Sequence, residues 1–292
     1  MDLLVTPQGT VARPGGSPLN VAVGLGRLGA PVSLLTRYGS DRHGRMLARH
    51  LLASGVDLVG DPHDSYPTST AIASPDTQGE GTRYQFDLEW SLPAAAGLPA
   101  ETTCLHTGSL ATCLGPGADH VRGLTRSWRG RATISYDPNC RPALMGSPDE
   151  ARARIEELVG LADLVKVSAE DLEWLGYGSN GLGHWAAAEH WLSLGPSLVV
   201  VTMGAEGACA VSRSGNASCG GVKVEVVDTV GAGDAFTSGL LFALGSRELL
   251  TRDELSGLSG SVFQTVLEEA AINAADTCTR VGADPPWTKT GW

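Results

Sequence analysis

Hydrophobic and polar positions form two kinds of segment along the chain. Short apolar runs alternate with longer segments of helical spacing, which is typical of a mainly parallel sheet covered by helices. The apolar runs predict buried strands at 32–36, 102–107, 132–136, 163–167 and 197–202. An amphipathic helix is predicted over 43–55, with its apolar side chains at positions 46, 47, 51 and 52.

Two segments depart from this alternation. Residues 3–13 and 67–90 show the period-two pattern of half-exposed strands, and the second segment contains a glycine-rich turn. We expect them to form a small accessory sheet that acts as a lid. Because no internal repeat or linker interrupts the chain, the pattern predicts a single α/β domain over residues 1–292.

The stretch GLGRLG, residues 24–29, has the glycine spacing of a dinucleotide-binding turn. No strand precedes it, and position 49, near which that fold needs an acidic residue, holds Arg49. Ser17 is instead a good N-cap, Pro18 suits the first helical position, and Gly29 fits a left-handed helix end. We therefore predict a helix whose glycines allow close packing, not a dinucleotide site.

Composition and charge exclude several classes of partner. A formal net charge of −11 argues against nucleic acid, because phosphate binding needs a basic surface. No apolar run has the length of a membrane span, and the sequence shows no secretory leader. The six cysteines are scattered without a C-x-x-C pair, as in reduced cytoplasmic proteins. We expect a cytoplasmic protein without nucleic-acid or membrane partners.

A first candidate site lies where the predicted helix begins. Gly15 and Gly16 would expose backbone N–H groups at the helix start, and Asn20 in the first turn offers both a donor and an acceptor to hydroxyl groups. These features suit a polyhydroxylated ligand. An ordinary glycine turn before a capped helix explains the same residues, so both interpretations stay open.

A stronger candidate follows the alternating stretch 222–227, which predicts a strand. Gly231, Ala232, Gly233 and Asp234 come next and lead into an apolar helix. A strand, a glycine turn and a helix start leave the N–H groups of 231–234 free, and they could hold a transferring phosphoryl group without a lysine. Asp234 would accept a proton from the attacking hydroxyl. A carboxylate that merely favours a helix N-terminus would not explain the bare glycine backbone beside it.

The chain resembles the PfkB, or ribokinase-like, carbohydrate kinases. DTVGAGDAF is similar to the C-terminal signature of that family, and PGGSPLNVAVGLGRLG with YGSDRHGRMLARHLLASGV is similar to the N-terminal one. The segments DPNCR, VKVSAEDLEWL, VVTMGAEGA and AADTCTRVGADPP resemble further family segments, in the expected order. The resemblance implies a ribokinase-like α/β fold, a mainly parallel sheet flanked by helices with a small β-sheet lid, and ATP-dependent phosphorylation of a sugar hydroxyl.

The resemblance also implies roles for individual residues. Asp234 corresponds to the catalytic base, beside an anion hole at 231–234. Sugar contacts fall on Asp2, Gly15, Gly16, Asn20 and Arg141, and ATP contacts on Ser168, Thr202, Gly204, Gly207 and Asn273. Asp171 corresponds to a residue linked to Mg²⁺. Asp228, the carbonyl of Val230 and the loop at 280–283 correspond to a monovalent-cation site for K⁺.

Two positions depart from the family pattern. An Asn-x-x-Glu segment is replaced by Ser168-x-x-Asp171, which resembles a helix capping box, so Asp171 either serves the metal or only starts a helix. The family also opens with an apolar strand that ends in a sugar-binding Asp. Either Asp2 is that carboxylate at a frayed terminus, or the upstream strand is missing from this sequence, which would leave sheet backbone unpaired.

The glycine segment 15–29 and DPNCR look more like fructokinase-type members than ribokinases, which carry a lysine in the first segment. Fructokinase is therefore the expected activity, with 2-keto-3-deoxygluconate kinase or ribokinase as alternatives and nucleoside kinases more distant. A catalytically impaired ligand-binding or regulatory protein is the alternative from another class. The exposed edges of the lid strands favour a homodimer.

Overall fold

The computed structural model of the protein describes residues 1–6, 9–75, 82–92, 97–177 and 183–288. The strands are β1 Asp2–Thr6, β2 Gly9–Arg13, β3 Val32–Leu34, β4 Tyr38–Gly39, β5 Val56–Leu58, β6 His63–Asp64, β7 Thr70–Pro75, β8 Thr82–Asp87, β9 Cys104–Gly108, β10 Thr133–Asp137, β11 Leu164–Ser168, β12 Leu198–Thr202, β13 Ala208–Ser212 and β14 Asn216–Cys219. The α-helices are α1 Ser17–Arg27, α2 Arg42–Ala53, α3 Gly117–Trp128, α4 Pro142–Met145, α5 Pro148–Leu161, α6 Ala169–Trp174, α7 His184–Leu194, α8 Ala232–Gly245, α9 Arg252–Gly257 and α10 Gly260–Cys278.

The largest sheet has the strand order β14-β13-β12-β11-β10-β9. Strands β9 to β12 are parallel, whereas β13 and β14 are antiparallel additions. The parallel strands are rich in Val, Leu and Ile because helices cover both faces of the sheet. One core includes residues of α3, α5 and α7, and the opposite core includes residues of α1, α8 and α10. The predicted α/β class with a mainly parallel sheet is confirmed.

The lid is a separate four-stranded sheet with the order β2-β1-β7-β8. Apart from Asp2, its strands lie within the two segments that the alternating pattern assigned to an accessory sheet, so the sheet is confirmed, whereas the predicted glycine-rich turn lies outside the described residues. The Asp41 carboxylate caps α2 through the N–H of Gly44 and also accepts from the N–H and hydroxyl of Thr68, just before β7. Burial raises the pKa of Asp41, but these hydrogen bonds outweigh it and lower the pKa to about 2. These hydrogen bonds connect the segment just before β7 of the lid to the start of α2.

The GLGRLG segment lies within and just after α1, as predicted. A Cβ atom at Gly24 would overlap the side chain of Ser238 on α8, and one at Gly26 would overlap the carbonyl oxygen of Ser54. Gly29 has a φ of +87° where the helix ends. Gly24 and Gly26 therefore serve helix packing, Gly29 serves the helix end, and this segment forms no dinucleotide turn. The predicted N-cap was wrong by one residue, because Gly16 occupies that position and Ser17 is the first helical residue.

Three further predictions need correction. The apolar run at 32–36 yields only the short β3, which pairs with β5 outside the large sheet and exposes Ser33. In α2, Leu47 and Leu51 are buried but Leu52 is 79% exposed. The alternating stretch 222–227 forms no strand. The sheet pairing of β14 ends at Cys219, and beyond it a Cβ at Gly221 would overlap the carbonyl oxygen of Ala205.

No helix among the described residues has the length and apolar character needed to cross a bilayer.

Candidate active site

Asp234 lies in the first turn of α8 and is 6% exposed. One carboxylate oxygen, Oδ1, accepts from the hydroxyl of Ser17 at 2.6 Å and from Nδ2 of Asn139 at 3.3 Å. The other, Oδ2, accepts from Nδ2 of Asn20 at 2.7 Å. The start of α1 and the loop after β10 therefore converge on a single buried carboxylate.

The electrostatics of Asp234 combine opposing effects. Burial raises its pKa above the ordinary value for Asp, and the charge of Asp137 adds to the rise. Hydrogen bonds from Ser17 and Asn20 and the charge of Lys166 lower the pKa, but the net direction is upward. A carboxylate with a raised pKa is a stronger base than a free Asp side chain and suits proton transfer.

The turn before α8 requires glycine. Gly231 has a φ of +79°, and its Cβ position would lie 2.5 Å from the Cβ atom of Ala283. The N–H of Ala232 donates to the carbonyl of Thr229 at 3.2 Å, so the expectation that all four amides are free was wrong for this one. Within the described ranges, the N–H groups of Gly233 and Asp234 have no hydrogen-bond partner. These two amides at a helix N-terminus can receive an anion.

A lysine lies beside this turn, although the sequence pattern suggested that the turn could hold an anion without one. Nζ of Lys166 lies 3.0 Å from the position that a Cβ atom would take at Gly233. The same ammonium group donates to Oδ2 of Asp137 at 3.0 Å, and both side chains are buried. Burial lowers the pKa of Lys166, but the Asp137 carboxylate outweighs it and raises the pKa. Lys166 is therefore a fixed positive charge at the turn.

The lid contributes Asp2, whose carboxylate lies against Gly15. A Cβ atom at Gly15 would overlap Oδ2 of Asp2, and Gly16 has a φ of +121° with open space at its Cβ position. Burial raises the pKa of Asp2, while the chain's amino terminus and Arg141 oppose this. The structure thus brings Asp2, Gly15 and Arg141 near the Asn20–Asp234 contact. The side chains of Asp2, Arg141 and Asn20 offer donors and acceptors suited to hydroxyl groups.

A comparison with protein families shows to which family the chain belongs. The model of the family described as "pfkB family carbohydrate kinase" matches residues 2–252, which is most of the chain. The chain belongs to this family. As a pfkB-family kinase it is a carbohydrate kinase, and its ribokinase-like α/β fold is the one expected from the sequence.

Individual relatives support the assignment. The chain is 34% identical to a fructokinase of Rhizobium leguminosarum bv. trifolii over 88% of this chain and 79% of the relative. It is 32% identical to fructokinase-2 of Solanum lycopersicum over 97% of this chain and 86% of the relative. The structure of a fructokinase from Xylella fastidiosa with bound ATP gives a TM-score of 0.83 at 26% identity, covering 97% of this chain and 90% of that one.

A second similar structure, a fructokinase from Vibrio cholerae O395, was determined in a form bound to fructose, ADP and calcium ion. It gives a TM-score of 0.75 at 29% identity and covers 97% of this chain and 91% of that one.

The predicted nucleotide residues of this pfkB-family kinase lie in two places. Thr202, Gly204 and Gly207 lie at the end of β12 and in the turn after it, whereas Asn273 lies in α10. Thr202 ends β12, and Gly204 has a φ of +55° with open space at its Cβ position, so a ligand can approach the backbone there. Gly207 has a φ of +100°, and a Cβ there would overlap the carbonyl oxygen of Cys219. Asn273 is buried, and its Nδ2 donates to the carbonyl of Ala235 and to the hydroxyl of Ser238. Asn273 thus joins α10 to α8, and its predicted contact with adenine has no support in this geometry.

The Ser168–Asp171 segment starts a helix, as its sequence suggested, and Asp171 also has contacts outside that helix. Ser168 is the N-cap of α6 and accepts from the N–H of Asp171 at 3.0 Å. The Asp171 carboxylate, however, accepts from the N–H of Cys140 at 2.9 Å. Burial, followed by the charge of Asp137, raises the pKa of Asp171, and Lys166 opposes the rise. Asp171 therefore belongs to the charged cluster around Lys166 as well as to the helix start.

Asp228 connects two loops of the predicted monovalent-cation site. Its Oδ1 accepts from the N–H of Val230 at 3.0 Å, and its Oδ2 accepts from the N–H of Gly282 at 2.8 Å.

Within the part of the chain that the structure describes, no three His, Cys, Asp or Glu side chains converge as ligands of a metal ion.

Sequence reasoning missed four residues of the site, namely Ser17, Asp137, Asn139 and Lys166. Two signals were available. Lys166 is a charged residue inside an otherwise apolar buried strand, and such a residue needs a partner. Asp137 and Asn139 lie in the DPNCR segment, of which only Arg141 was singled out. Ser17 was assigned to a helix cap, whereas its hydroxyl donates to Asp234.

Proposed function

We propose that this pfkB-family kinase transfers the γ-phosphoryl group of ATP to a hydroxyl group of fructose. The observation that carries the proposal is the buried Asp234 carboxylate beside the two free N–H groups of α8, with the lid residue Asp2 against Gly15 just before α1. A base and an anion-binding helix end meet there, as in-line phosphoryl transfer requires. The choice of fructose is supported by the similarity to fructokinases.

In this proposal each part of the site has one task. Asp2, Gly15, Gly16, Asn20 and Arg141 bind the sugar, and Asp234 accepts the proton of the attacking hydroxyl group. The N–H groups at the start of α8 stabilise negative charge on the transferred group, and Lys166 adds positive charge next to them. Thr202, Gly204 and Gly207 form the ATP side, and Ser168 begins the helix that carries Asp171.

The charges around Lys166 suit a divalent cation. The ammonium group donates to Asp137 and also interacts electrostatically with the carboxylates of Asp171 and Asp234, so one positive charge offsets only part of the negative charge. Mg²⁺ prefers carboxylate oxygens together with phosphates, and we propose Asp171 as the residue that would hold it. Bound there, the ion would offset charge on the nucleotide phosphates. For K⁺ we propose Asp228 and the carbonyl of Val230.

The substrate proposal is tested by a coupled assay of ADP formation with fructose, ribose, 2-keto-3-deoxygluconate and nucleosides. Fructose is expected to give the highest kcat/KM of the panel. A higher kcat/KM with one of the other acceptors would replace fructose as the substrate. If no acceptor stimulated ADP formation but calorimetry showed sugar binding, the protein would be a binding or regulatory homologue.

We further propose that the lid sheet pairs with a second copy of the chain. Leu4 on β1 and Val11 on β2 are register partners, and both side chains are more than 40% exposed. Exposed apolar pairs on a sheet favour association. Light scattering at micromolar concentration is expected to give the mass of a dimer, and Val11→Glu is expected to shift it toward the monomer. A monomeric mass for the unaltered protein would contradict the proposal.

A further inference from the structure

Asn139 lies in the loop after β10 and has an unusual backbone conformation. Its φ is +36°, in the left-handed region that L-residues rarely adopt, although Asn tolerates it better than most. Its N–H donates to Oδ1 of Asp137 at 3.1 Å, and its carbonyl accepts from the hydroxyl of Ser109 at 3.1 Å. Surrounding contacts therefore hold this conformation, which is common at functional sites.

The side chain of Asn139 connects two parts of the site. Its Nδ2 donates to the hydroxyl of Ser17 at 2.9 Å and to Oδ1 of Asp234 at 3.3 Å. Its Oδ1 accepts from Nη1 of Arg141 at 2.5 Å. A neutral amide fits this position because it offers donors to a carboxylate at one end and an acceptor to a guanidinium group at the other.

Arg141 is exposed and keeps part of its hydrogen-bonding capacity. In the ranges that the structure describes, its side-chain contacts all involve Nη1, which reaches Asn139 and the carbonyl of Cys140. Its Nε and Nη2 groups are thus available to a ligand while Nη1 stays on Asn139. The Asn139 side chain would then connect Asp234 to an arginine that holds the sugar.

We propose that Asn139 is a positioning residue that orients the Asp234 carboxylate and joins it to Arg141. This inference rests on the proposed role of Asp234 as the base. Without the Asn139 amide, the Ser17 hydroxyl is the one donor to Oδ1 of Asp234 that remains among the described residues, and that hydroxyl itself loses a partner. The carboxylate then has more rotational freedom, and fewer of its orientations face the acceptor hydroxyl.

The test uses Asn139→Gly, which removes the amide but suits the left-handed backbone. We expect kcat to fall on the order of 10²-fold, since small misplacements at a reacting centre have effects of this size. KM for the sugar should change less than kcat. Glu248→Gly is the matched control, because Glu248 is exposed, has a φ of +58° and lies outside the site. It should leave kcat unchanged and show what the backbone substitution alone does to the melting temperature.

A second readout needs no turnover. Carboxyl ¹³C NMR of the free protein measures the pKa of Asp234, with Asp234→Asn to assign the signal. Because a donor to a carboxylate favours its charged form, Asn139→Gly should raise this pKa. Asn139→Asp keeps the size and tolerates the backbone, but it adds a negative charge and should raise the pKa further. An unmoved pKa in both variants, or a lower melting temperature with unchanged kcat, would overturn the inference.

The link to Arg141 is tested by a double-mutant cycle with Arg141→Ala. If Arg141 acts on the base through Asn139, the two effects on kcat are less than additive. Full additivity would remove Arg141 from the proposal. Failure of the proposed function is recognised separately, because then the unaltered protein phosphorylates no sugar, whereas the Asp234 pKa still reports on Asn139.

Discussion

Asp234→Asn is expected to lower kcat by about 10²- to 10⁴-fold, the usual contribution of a positioned general base. The variant keeps the shape of the side chain but loses its basicity. Ser17 and Asn20 can re-orient their hydroxyl and amide groups toward the new amide, so ATP and sugar should still bind. Steady-state kinetics with the best sugar, together with calorimetry of both substrates, measures the two effects separately.

The pH dependence gives an independent check of this prediction. Burial raises the pKa of Asp234, so the unaltered enzyme should lose kcat/KM as the pH falls through a value above the ordinary one for Asp. The variant should lack this acid limb. Asp253→Asn is a suitable control, since Asp253 is an exposed Asp in the first turn of α9. Near-normal turnover of Asp234→Asn would show that Asp234 only favours the helix start.

Lys166→Met is expected to destabilise the protein by about 3–5 kcal/mol and to reduce turnover. The substitution leaves Asp137, which has no exposed surface, without its ammonium partner at 3.0 Å. It also removes the positive charge next to Gly233. Urea unfolding measures the first effect, and kcat under conditions in which the variant is folded measures the second.

The double variant Lys166→Met with Asp137→Asn distinguishes the two roles of the lysine. A neutral pair no longer buries an unpaired charge, and the new amide at position 137 can still accept from the N–H of Asn139. Stability should therefore return toward that of the unaltered protein, while turnover should stay low. If the double variant also recovered turnover, Lys166 would serve only to neutralise Asp137, and its proposed part in phosphoryl transfer would be wrong.

Features encoded by neighbouring residues were predicted well from the sequence. The start of α8 follows from the glycines and Asp234 within four positions, and α1 follows from its helix formers and from Gly29 at its end. The lid strands follow from alternation within each segment. Each of these features depends on local backbone preferences, which a short window of sequence contains.

Features that depend on distant contacts were predicted poorly. The hydrogen bond from Ser17 to Asp234 joins residues 217 positions apart, and the one from Asn139 spans 95 positions. No local pattern specifies such pairs. The predicted strand at 222–227 failed for a related reason, because its pattern is that of a strand but the chain has already left the sheet at Gly221.

The close packing of α1 has a consequence for how the site responds to substrates. Gly24 and Gly26 lie about 200° apart around the helix, so α1 packs closely on two sides, against α8 and against the turn after α2. Its first turn carries Ser17 and Asn20, which bind the carboxylate on α8. The donors around Asp234 therefore lie on a helix that close packing holds in place. In the proposed reaction, little free energy would be spent on reorienting these donors when the hydroxyl group reacts.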